Sequence, residues 1–484
     1  MKTQKMKMLF GLFLCAAMVF QMTACKSGKT ESDSGLSTPE LSSNISSDDA
    51  SSEQNNSNTS LPSSSQNSNQ QTTSSTPNSQ SAKKTNLTRD QVMANMPAKL
   101  KNTTIKYMTW DNPRETMEKN AIAEFEKKTG IKVQIEMVAL GEKYKVLASR
   151  IAAGNSPDVF RTDEVLPFVC KNLQPIQNLN YNFNDKAWDW DLMNYATYNG
   201  RTYSMQLADT PFTPVAVLFY NKAALKKAEM DNMDPYTIWK NNPNDWTWDK
   251  FFAVCDTFLS RNGNRDGYYG CLCPQTYIYA YMRCFGLANM DYNPASGKFV
   301  SNVKTPEYVK HMEILSNAMQ KKYLSPTASG FEMGNTLFCW DWGINAQPNI
   351  YFEQLKKRNN LGIVPIPTDS TKQVLYQHIA HGVPVGAKNG EAVPYFIRYI
   401  QDRKGYNIET IYSVPNSAEV IEWSIQRGRQ NKSFFVGGGV HNYGFITEIQ
   451  QSAPNQVKAI CDKYAPEFEA EAKKYNEEAK NLPK

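Results

Sequence analysis

Aromatic and carboxylate side chains stand together at two points where strand-like runs end. Trp110, Asp111 and Asn112 follow one run, and Asp163 with Glu164 follows another. Rings can cover the apolar faces of a polyhydroxylated ligand, while carboxylates and amides hydrogen-bond to its hydroxyl groups. Because ligands of parallel α/β sheets bind beyond the carboxyl ends of strands, these five residues are candidate ligand contacts. A core position for Trp110 and a solvated loop for the acidic pair are the structural alternatives.

A second aromatic candidate is the triplet Trp340-Asp341-Trp342, which ends another strand-like run. Strand alternation sends the two tryptophans to the same side, so at least one could face a ligand. Two core tryptophans are a nearly equal alternative. Arg161 would suit an acidic ligand, and would argue against a neutral sugar if it pointed into the site.

The same side chains allow two other chemistries to be weighed. Asp111 with Asp163 or Glu164 could reach the ~5–9.5 Å carboxylate separation that glycoside hydrolysis requires. His378 and His381 have the spacing of a metal pair on a helix, but they lie in a predicted strand. That spacing in a strand sends the rings to opposite faces, so no metal site is predicted.

The elements that would position these residues alternate between strand and helix. Strand-like runs at 104–109, 131–138 and 158–160 are separated by apolar residues at helical spacing over 115–128 and 144–153. This order predicts an α/β sheet of the parallel type, with the candidate residues at its carboxyl edge.

The chain begins with the pattern of an export signal. Lysines precede an apolar run from 8 to 20, and Thr23 and Ala24 stand directly before Cys25. The run is shorter than the ~20 residues that span a bilayer. The segment resembles the lipobox of bacterial lipoproteins, which implies a signal peptide over 1–24 and acylation of Cys25, for example with palmitate. An ordinary secretory signal with a chance cysteine is the alternative.

Residues 25–85 consist mostly of Ser, Asn, Gln and Thr. They offer too little apolar surface to offset the entropy of ordering, so they are expected to form a disordered tether. Its mean end-to-end distance would be roughly 45 Å. A glycosylated stalk is the alternative.

Residues 86–484 form the predicted folded body, which is long enough for two lobes. The formal net charge of +6 includes lysines of the signal and tether, so it does not indicate nucleic-acid binding. Aromatic residues make up 12% of the chain, which without a basic patch favours a neutral ligand over a phosphate. Cys15 and Cys25 precede the body, and the other seven cysteines are expected to be buried thiols with at most one or two bridges.

Five stretches of the body resemble, in order, signatures of the extracellular solute-binding proteins of ABC importers. The first reads AEFEKKTGIKV and the second reads IAAGNSPDV. The stretches are residues 123–133, 151–159, 198–222, 334–342 and 382–396. The resemblance is closest to the family-1, maltose-binding-like branch, and the order of the matches makes the set specific.

The resemblance implies an α/β, two-lobed periplasmic-binding-protein-like fold of class II, with mixed sheets flanked by helices and a hinge between the lobes. Lobe 1 would comprise about 100–210 and 366–430, and lobe 2 about 211–365 and 431–484. The ligand would lie in the cleft, and closure would be a hinge motion.

The resemblance also implies site residues. It favours Asp163 as a ligand contact and makes Trp342 an approximate match to the family's stacking aromatic. Tyr277 and Tyr443 lie where the family places aromatics facing the ligand. His381 lies beside backbone that lines the cleft.

The function implied is that of a lipid-anchored receptor, not an enzyme, which delivers a small-molecule solute to an ABC permease. A carbohydrate, specifically an oligosaccharide, is the expected solute. We expect a monomer without cofactor, on the extracytoplasmic face of the membrane of a single-membrane, Gram-positive-type bacterium. The alternatives are a sensory binding protein for a membrane kinase and, less favoured, an extracytoplasmic glycoside hydrolase.

Overall fold

The computed structural model describes most of the chain from Lys84 onward, so the predicted signal peptide, Cys25 and nearly all of the tether lie outside the described residues. Thr85 already belongs to the body, because its backbone N–H donates to the Asn184 carbonyl at 2.9 Å. The described residues are 84–113, 118–208, 210, 215–274, 281–282, 284–285, 287–293, 296–346, 352–368, 376–377, 380–402, 412–431, 434–435 and 443–484.

Strands and helices alternate through these ranges. The strands are β1 Thr104–Thr109, β2 Lys132–Met137, β3 Val159–Thr162, β4 Leu173–Gln174, β5 Thr197–Tyr198, β6 Arg201–Thr202, β7 Ala216–Asn221, β8 Tyr269–Leu272, β9 Met290–Asn293, β10 Lys298–Ser301, β11 Leu324–Ser325, β12 Thr336–Trp342, β13 Leu361–Pro365, β14 Tyr376–Gln377, β15 Ala380–Pro384 and β16 Phe434–Phe435. The helices are α1 Arg89–Ala94, α2 Glu118–Thr129, α3 Lys143–Ala152, α4 Pro167–Cys170, α5 Trp190–Met193, α6 Lys222–Lys227, α7 Pro235–Asn241, α8 Trp248–Arg261, α9 Pro306–Gln320, α10 Glu353–Lys357, α11 Val393–Ile400, α12 Ser417–Asn431, α13 Tyr443–Gln451 and α14 Val457–Lys480.

Helix α2 illustrates how the sequence specifies these elements. Ala121, Ile122 and Phe125 recur at helical spacing and are buried, so the helix packs one apolar face against the sheet. Gly130 follows the helix with a φ of +72°, and a Cβ atom there would lie 2.0 Å from Oδ1 of Asn102. Glycine is therefore required to end the helix and turn the chain into β2.

The first sheet has the strand order β2-β1-β3-β15-β4. β1 runs parallel to β2 and β3, as the alternating strand and helix pattern predicts. β15 comes from much later in the chain and pairs antiparallel with β3 and β4. We call this sheet with its packed helices the first lobe.

The second sheet has the order β11-β8-β12-β7-β13. β8 is parallel to β11 and β12, whereas β7 is antiparallel to β12 and β13. We call this sheet with its packed helices the second lobe. Two mixed sheets flanked by helices confirm the predicted fold class.

Helix α12 lies in a different lobe from the one predicted. The sequence assigned 366–430 to the first lobe, but Val420 and Ile421 are buried in the core of the second. The Trp423 ring also lies 5.5 Å from that of Trp239 on α7. The chain thus visits the first sheet as β15 and then returns to the second lobe.

Helix α14 packs on both lobes. Its first half contributes Ile460 and Phe468 to the core of the second lobe. Its second half contributes Tyr475, whose ring lies 6.0 Å from Phe168 on α4 of the first lobe. The predicted assignment of 431–484 to the second lobe therefore holds for only part of this helix.

Two further observations concern the body. The seven cysteines of the body are all described, and they are buried thiols. Across the described ranges, no helix combines the length and the apolar character needed to cross a membrane.

Candidate functional site

The carboxyl ends of β1, β2 and β3 meet at one edge of the first sheet, because the three strands run parallel. Trp110 directly follows β1, and Asp163 with Glu164 directly follows β3. Lys143 and Tyr144 begin α3, six residues after the end of β2. We call these residues, together with Asp111 and Arg161, the first-lobe edge.

Two cations lie over the ring of Trp110. The guanidinium carbon of Arg161 is 4.8 Å from the ring centroid, and Nζ of Lys143 is 5.3 Å from it. Such cation–π contacts favour a fixed orientation of the ring. Trp110 is half-buried, so the ring is neither a core residue nor a free surface residue.

Each of these cations also pairs with a carboxylate. Nη1 of Arg161 lies 3.2 Å from Oδ2 of Asp111, and Nζ of Lys143 lies 3.0 Å from Oδ1 of Asp163. The cationic side chains are 11% and 6% exposed, whereas those of Asp111 and Asp163 are 50% and 18% exposed. The hydroxyl of Tyr144 donates to Asp163 at 3.0 Å. The edge therefore buries its cations and the larger part of Asp163, and it leaves the Asp111 carboxylate half-exposed to solvent.

Two more carboxyl groups belong to this network. Burial, reinforced by the charge of Asp163, raises the pKa of Glu164 to about 7, against the opposing effect of Lys143. Burial likewise raises the pKa of Glu118 at the start of α2, although Arg161 favours its ionised form. Near neutral pH, Glu164 is therefore divided between its neutral and ionised states.

Two predicted contacts are interior side chains. Nε2 of His381 lies 3.0 Å from the hydroxyl of Tyr107, and both residues are fully buried. Trp340 is 1% exposed, and its ring lies 5.8 Å from that of Trp248 on α8. The structure thus places Trp340 in the core, the alternative weighed above, and we leave both residues out of the candidate contacts.

Trp342 is placed differently from Trp340. It is half-buried at the last position of β12, where it pairs in register with Ala216 at the start of β7. β7 is the first strand of the second sheet along the chain, so Trp342 lies at the end of that sheet where β7 begins. Its backbone N–H donates to Oδ1 of Asp341 at 2.8 Å.

The remaining predicted residues are only partly described. Asn112 is half-buried beside Asp111. Tyr443 is the first residue of α13, and its side chain lies outside the described part of the structure. Tyr277 and His378 lie outside the described residues. Among the described residues, no group of three or more His, Cys, Asp or Glu side chains could hold a metal ion.

Sequence reasoning missed Lys143, Tyr144 and Glu118. The position of Lys143 and Tyr144 could have indicated their role, since they begin the helix that follows β2 and therefore lie near the carboxyl edge of the sheet. The position of Glu118 gives no such indication, because a glutamate in the first turn of a helix is ordinarily solvated and favoured by the helix dipole. Arg161 was recognised only as a candidate for an acidic ligand.

A cavity of about 670 Å³ lies elsewhere, on the second lobe. It is lined by α6 residues such as Lys222 and Lys226, and by Asp231 and Asp234. No residue of the first-lobe edge and no tryptophan lines it, so we do not assign it as the ligand site.

The fold and the strand-end site define a class of binding protein. The chain belongs to the bacterial extracellular solute-binding protein family, whose sequence profile matches residues 120–421. A comparison with curated proteins found no match.

Solved structures of sugar-binding proteins share the fold. An ABC substrate-binding protein of Listeria monocytogenes, solved with cycloalternan, is 16% identical with a TM-score of 0.53, over 78% of this chain and 99% of its own. The cyclic α-maltosyl-1,6-maltose binding protein of Arthrobacter globiformis is 14% identical with a TM-score of 0.55, over 78% and 99%. The sugar-binding protein MalE of Xanthomonas citri is 15% identical with a TM-score of 0.55, over 78% and 98%. At these identities the likeness establishes the fold alone.

Proposed function

We propose that this protein captures an oligosaccharide between its two lobes and presents it to the permease of an ABC importer. The observation that carries the proposal is the first-lobe edge, where the half-buried Trp110 ring stands beside the half-exposed carboxylate of Asp111 and the partly buried one of Asp163. A ring supplies apolar contact with a sugar face, and carboxylates accept hydrogen bonds from sugar hydroxyl groups. The sugar-binding proteins that share the fold support the same ligand class.

The second lobe would complete the site with Trp342. Trp342 lies beside the start of β7, the first strand of the second sheet along the chain. The end of β3, which leads into the first-lobe edge, pairs with the start of β15, the strand that follows the second sheet's β13 and the short strand β14 along the chain. A ligand bound to both ends would favour a closed arrangement by hinge motion. We propose that the protein performs no chemistry on its ligand and acts as a monomer.

Attachment to the membrane would keep the receptor beside its permease. Acyl chains on Cys25 would provide the anchor, since two or more chains hold a protein stably at a bilayer. The Ser- and Asn-rich segment between Cys25 and the body would act as the tether. A receptor that needs such an anchor fits a single-membrane bacterium, which has no outer membrane to confine it.

Thermal unfolding of the purified protein with a panel of oligosaccharides tests the proposal. A saccharide at a hundred times its dissociation constant should stabilise the protein by ~2.7 kcal/mol and raise its Tm. Chromatography of the same mixtures should recover the saccharide unchanged. If no saccharide raises the Tm, the carbohydrate assignment fails, whereas the appearance of shorter products would establish a hydrolase instead.

A further inference from the structure

The charges at the first-lobe edge are unevenly placed. Among the described residues there, the two cations lie beside three carboxyl groups, which belong to Asp111, Asp163 and Glu164, whereas Glu118 is buried and out of reach of a ligand. A ligand that enters from solvent therefore meets the half-exposed Asp111 carboxylate before either cation.

Both cations are engaged with protein groups, although Nε of Arg161 is buried without a hydrogen-bond partner among the described residues. Arg161 is engaged with Asp111 and with the Trp110 ring. Lys143 is engaged with Asp163 and with the same ring, and its ammonium also donates to the Leu140 carbonyl at 3.3 Å. An acidic ligand could recruit either cation only by breaking an ion pair whose cation is already nine-tenths buried, which leaves a carboxylate unpaired.

The carboxylate of Asp111 is the accessible charge. One of its oxygens receives the Arg161 guanidinium at 3.2 Å, and half of the side chain remains exposed. Its position directly after Trp110 places this charge beside the ring on which a sugar would stack. A primary ammonium on that sugar would gain a charge-assisted hydrogen bond, which is roughly twice as strong as a neutral one.

We propose that the site selects saccharides that carry a primary ammonium group over their neutral counterparts, and rejects acidic ones, with Asp111 as the residue that determines this selectivity. This inference rests on the proposed function and narrows its ligand class. It also accounts for Arg161, which the sequence offered as a contact for an acidic ligand, because Nη1 of that side chain pairs with Asp111 within the protein.

Matched trisaccharides test the inference by isothermal titration calorimetry at pH 6 and low salt, where the amino groups of glucosamine are protonated. The probes are trimers of glucose, glucosamine and glucuronic acid, each with α-1,4 and with β-1,4 linkages. In the linkage that binds, the glucosamine trimer should bind about fivefold or more tightly than the glucose trimer. The glucuronic acid trimer should bind weakest, and added salt should reduce the differences.

Two variants assign the effect to Asp111. Asp111→Asn should reduce the preference for the glucosamine trimer over the glucose trimer to less than about twofold, whatever its effect on the affinity for either. Asp90→Asn removes the same charge from an exposed position on helix α1, where Asp90 pairs with Lys128, and should keep the full preference.

Three results would overturn the inference. Equal or tighter binding of the glucose or glucuronic acid trimer would refute the selectivity and leave the proposed function standing. An unchanged preference in Asp111→Asn would refute the role of that residue. Binding of none of the trimers, together with no response to the wider oligosaccharide panel, would refute the proposed function and this inference with it.

Discussion

At the scale of single residues, the site is a set of charges arranged around one ring. Trp110 is held by Arg161 and Lys143, and each cation is held in turn by a carboxylate. This arrangement fixes the ring before any ligand arrives. Less entropy is then lost on binding than with a mobile tryptophan.

Glu164 gives this arrangement a pH dependence. Its carboxyl pKa rises from an ordinary 4.5 to about 7 in the folded protein. The folded state therefore favours the protonated form, and the stability that this provides is fully present below pH 4.5 and lost as pH rises toward 7. We expect the difference in unfolding free energy between wild type and Glu164→Gln to change over this range and to level off above it.

Urea unfolding at intervals from pH 4 to pH 8.5 measures this difference. Glu142→Gln is the control, because that side chain is 59% exposed at the end of the loop before α3. Its unfolding midpoint should follow wild type at every pH. Parallel curves for wild type and Glu164→Gln would show that Glu164 titrates normally.

The sequence could predict where these residues lie but not how they pair. Asp163 and Glu164 were predicted as site residues because they follow a strand. Neither the partner of Asp163 on α3 nor the partner of Asp111 on β3 is encoded locally, since both pairs form only when neighbouring strand ends meet. The interior position of His381 was likewise hidden, because Tyr107 contacts it from 274 positions away.

At the scale of elements, strand β12 shows the limit of alternation as a guide. Trp340 and Trp342 project to the same side, as the period of a strand requires. Trp340 is buried against α8, whereas Trp342, at the last position of the strand, is half-buried. Alternation fixes the face to which a side chain points but not how far it is buried there.

Alanine substitutions at Trp340 and Trp342 should distinguish a core residue, whose loss lowers stability, from a ligand contact, whose loss lowers affinity. Trp342→Ala should weaken binding of the stabilising saccharide by more than ~1 kcal/mol, as loss of an aromatic anchor does. Trp340→Ala should instead lower the free energy of unfolding by ~3–5 kcal/mol through the cavity that it leaves. Calorimetry and urea unfolding of both variants give the two values, and unchanged affinity in Trp342→Ala would place Trp342 outside the site.

The α/β elements of the first lobe were predictable because strand and helix periods alternate clearly from 104 to 160. The placement of α12 was not predictable from period alone. Its apolar face would suit either sheet, and only the contacts of Val420, Ile421 and Trp423 with the second lobe decide between them.

At the scale of the whole molecule, helix α14 packs against both of the lobes that the proposed cleft would separate. Phe468 packs in the second lobe and Tyr475 in the first, and the exposed Pro466 lies within the helix two residues before Phe468. A proline inside a helix removes one backbone hydrogen bond and favours bending at that point. The two lobes are thus linked by packing as well as by the connecting strands.

The proposed anchor belongs to this scale as well. Replacement of Cys25 by serine removes the acylation site, so Cys25→Ser should appear in the culture medium and take up no labelled palmitate. Wild type should remain with the membrane fraction and be labelled. As a control, Cys170→Ser changes a buried thiol of the body and should leave membrane attachment intact. Retention of Cys25→Ser in the membrane would contradict the lipoprotein assignment.

A crystal structure of the protein with the saccharide that raises its Tm most tests the central claim directly. We predict that the sugar lies between the lobes, in contact with Trp110 and Asp111 on one side and with Trp342 on the other. A saccharide bound to one lobe alone, or away from both sheet edges, would contradict the account.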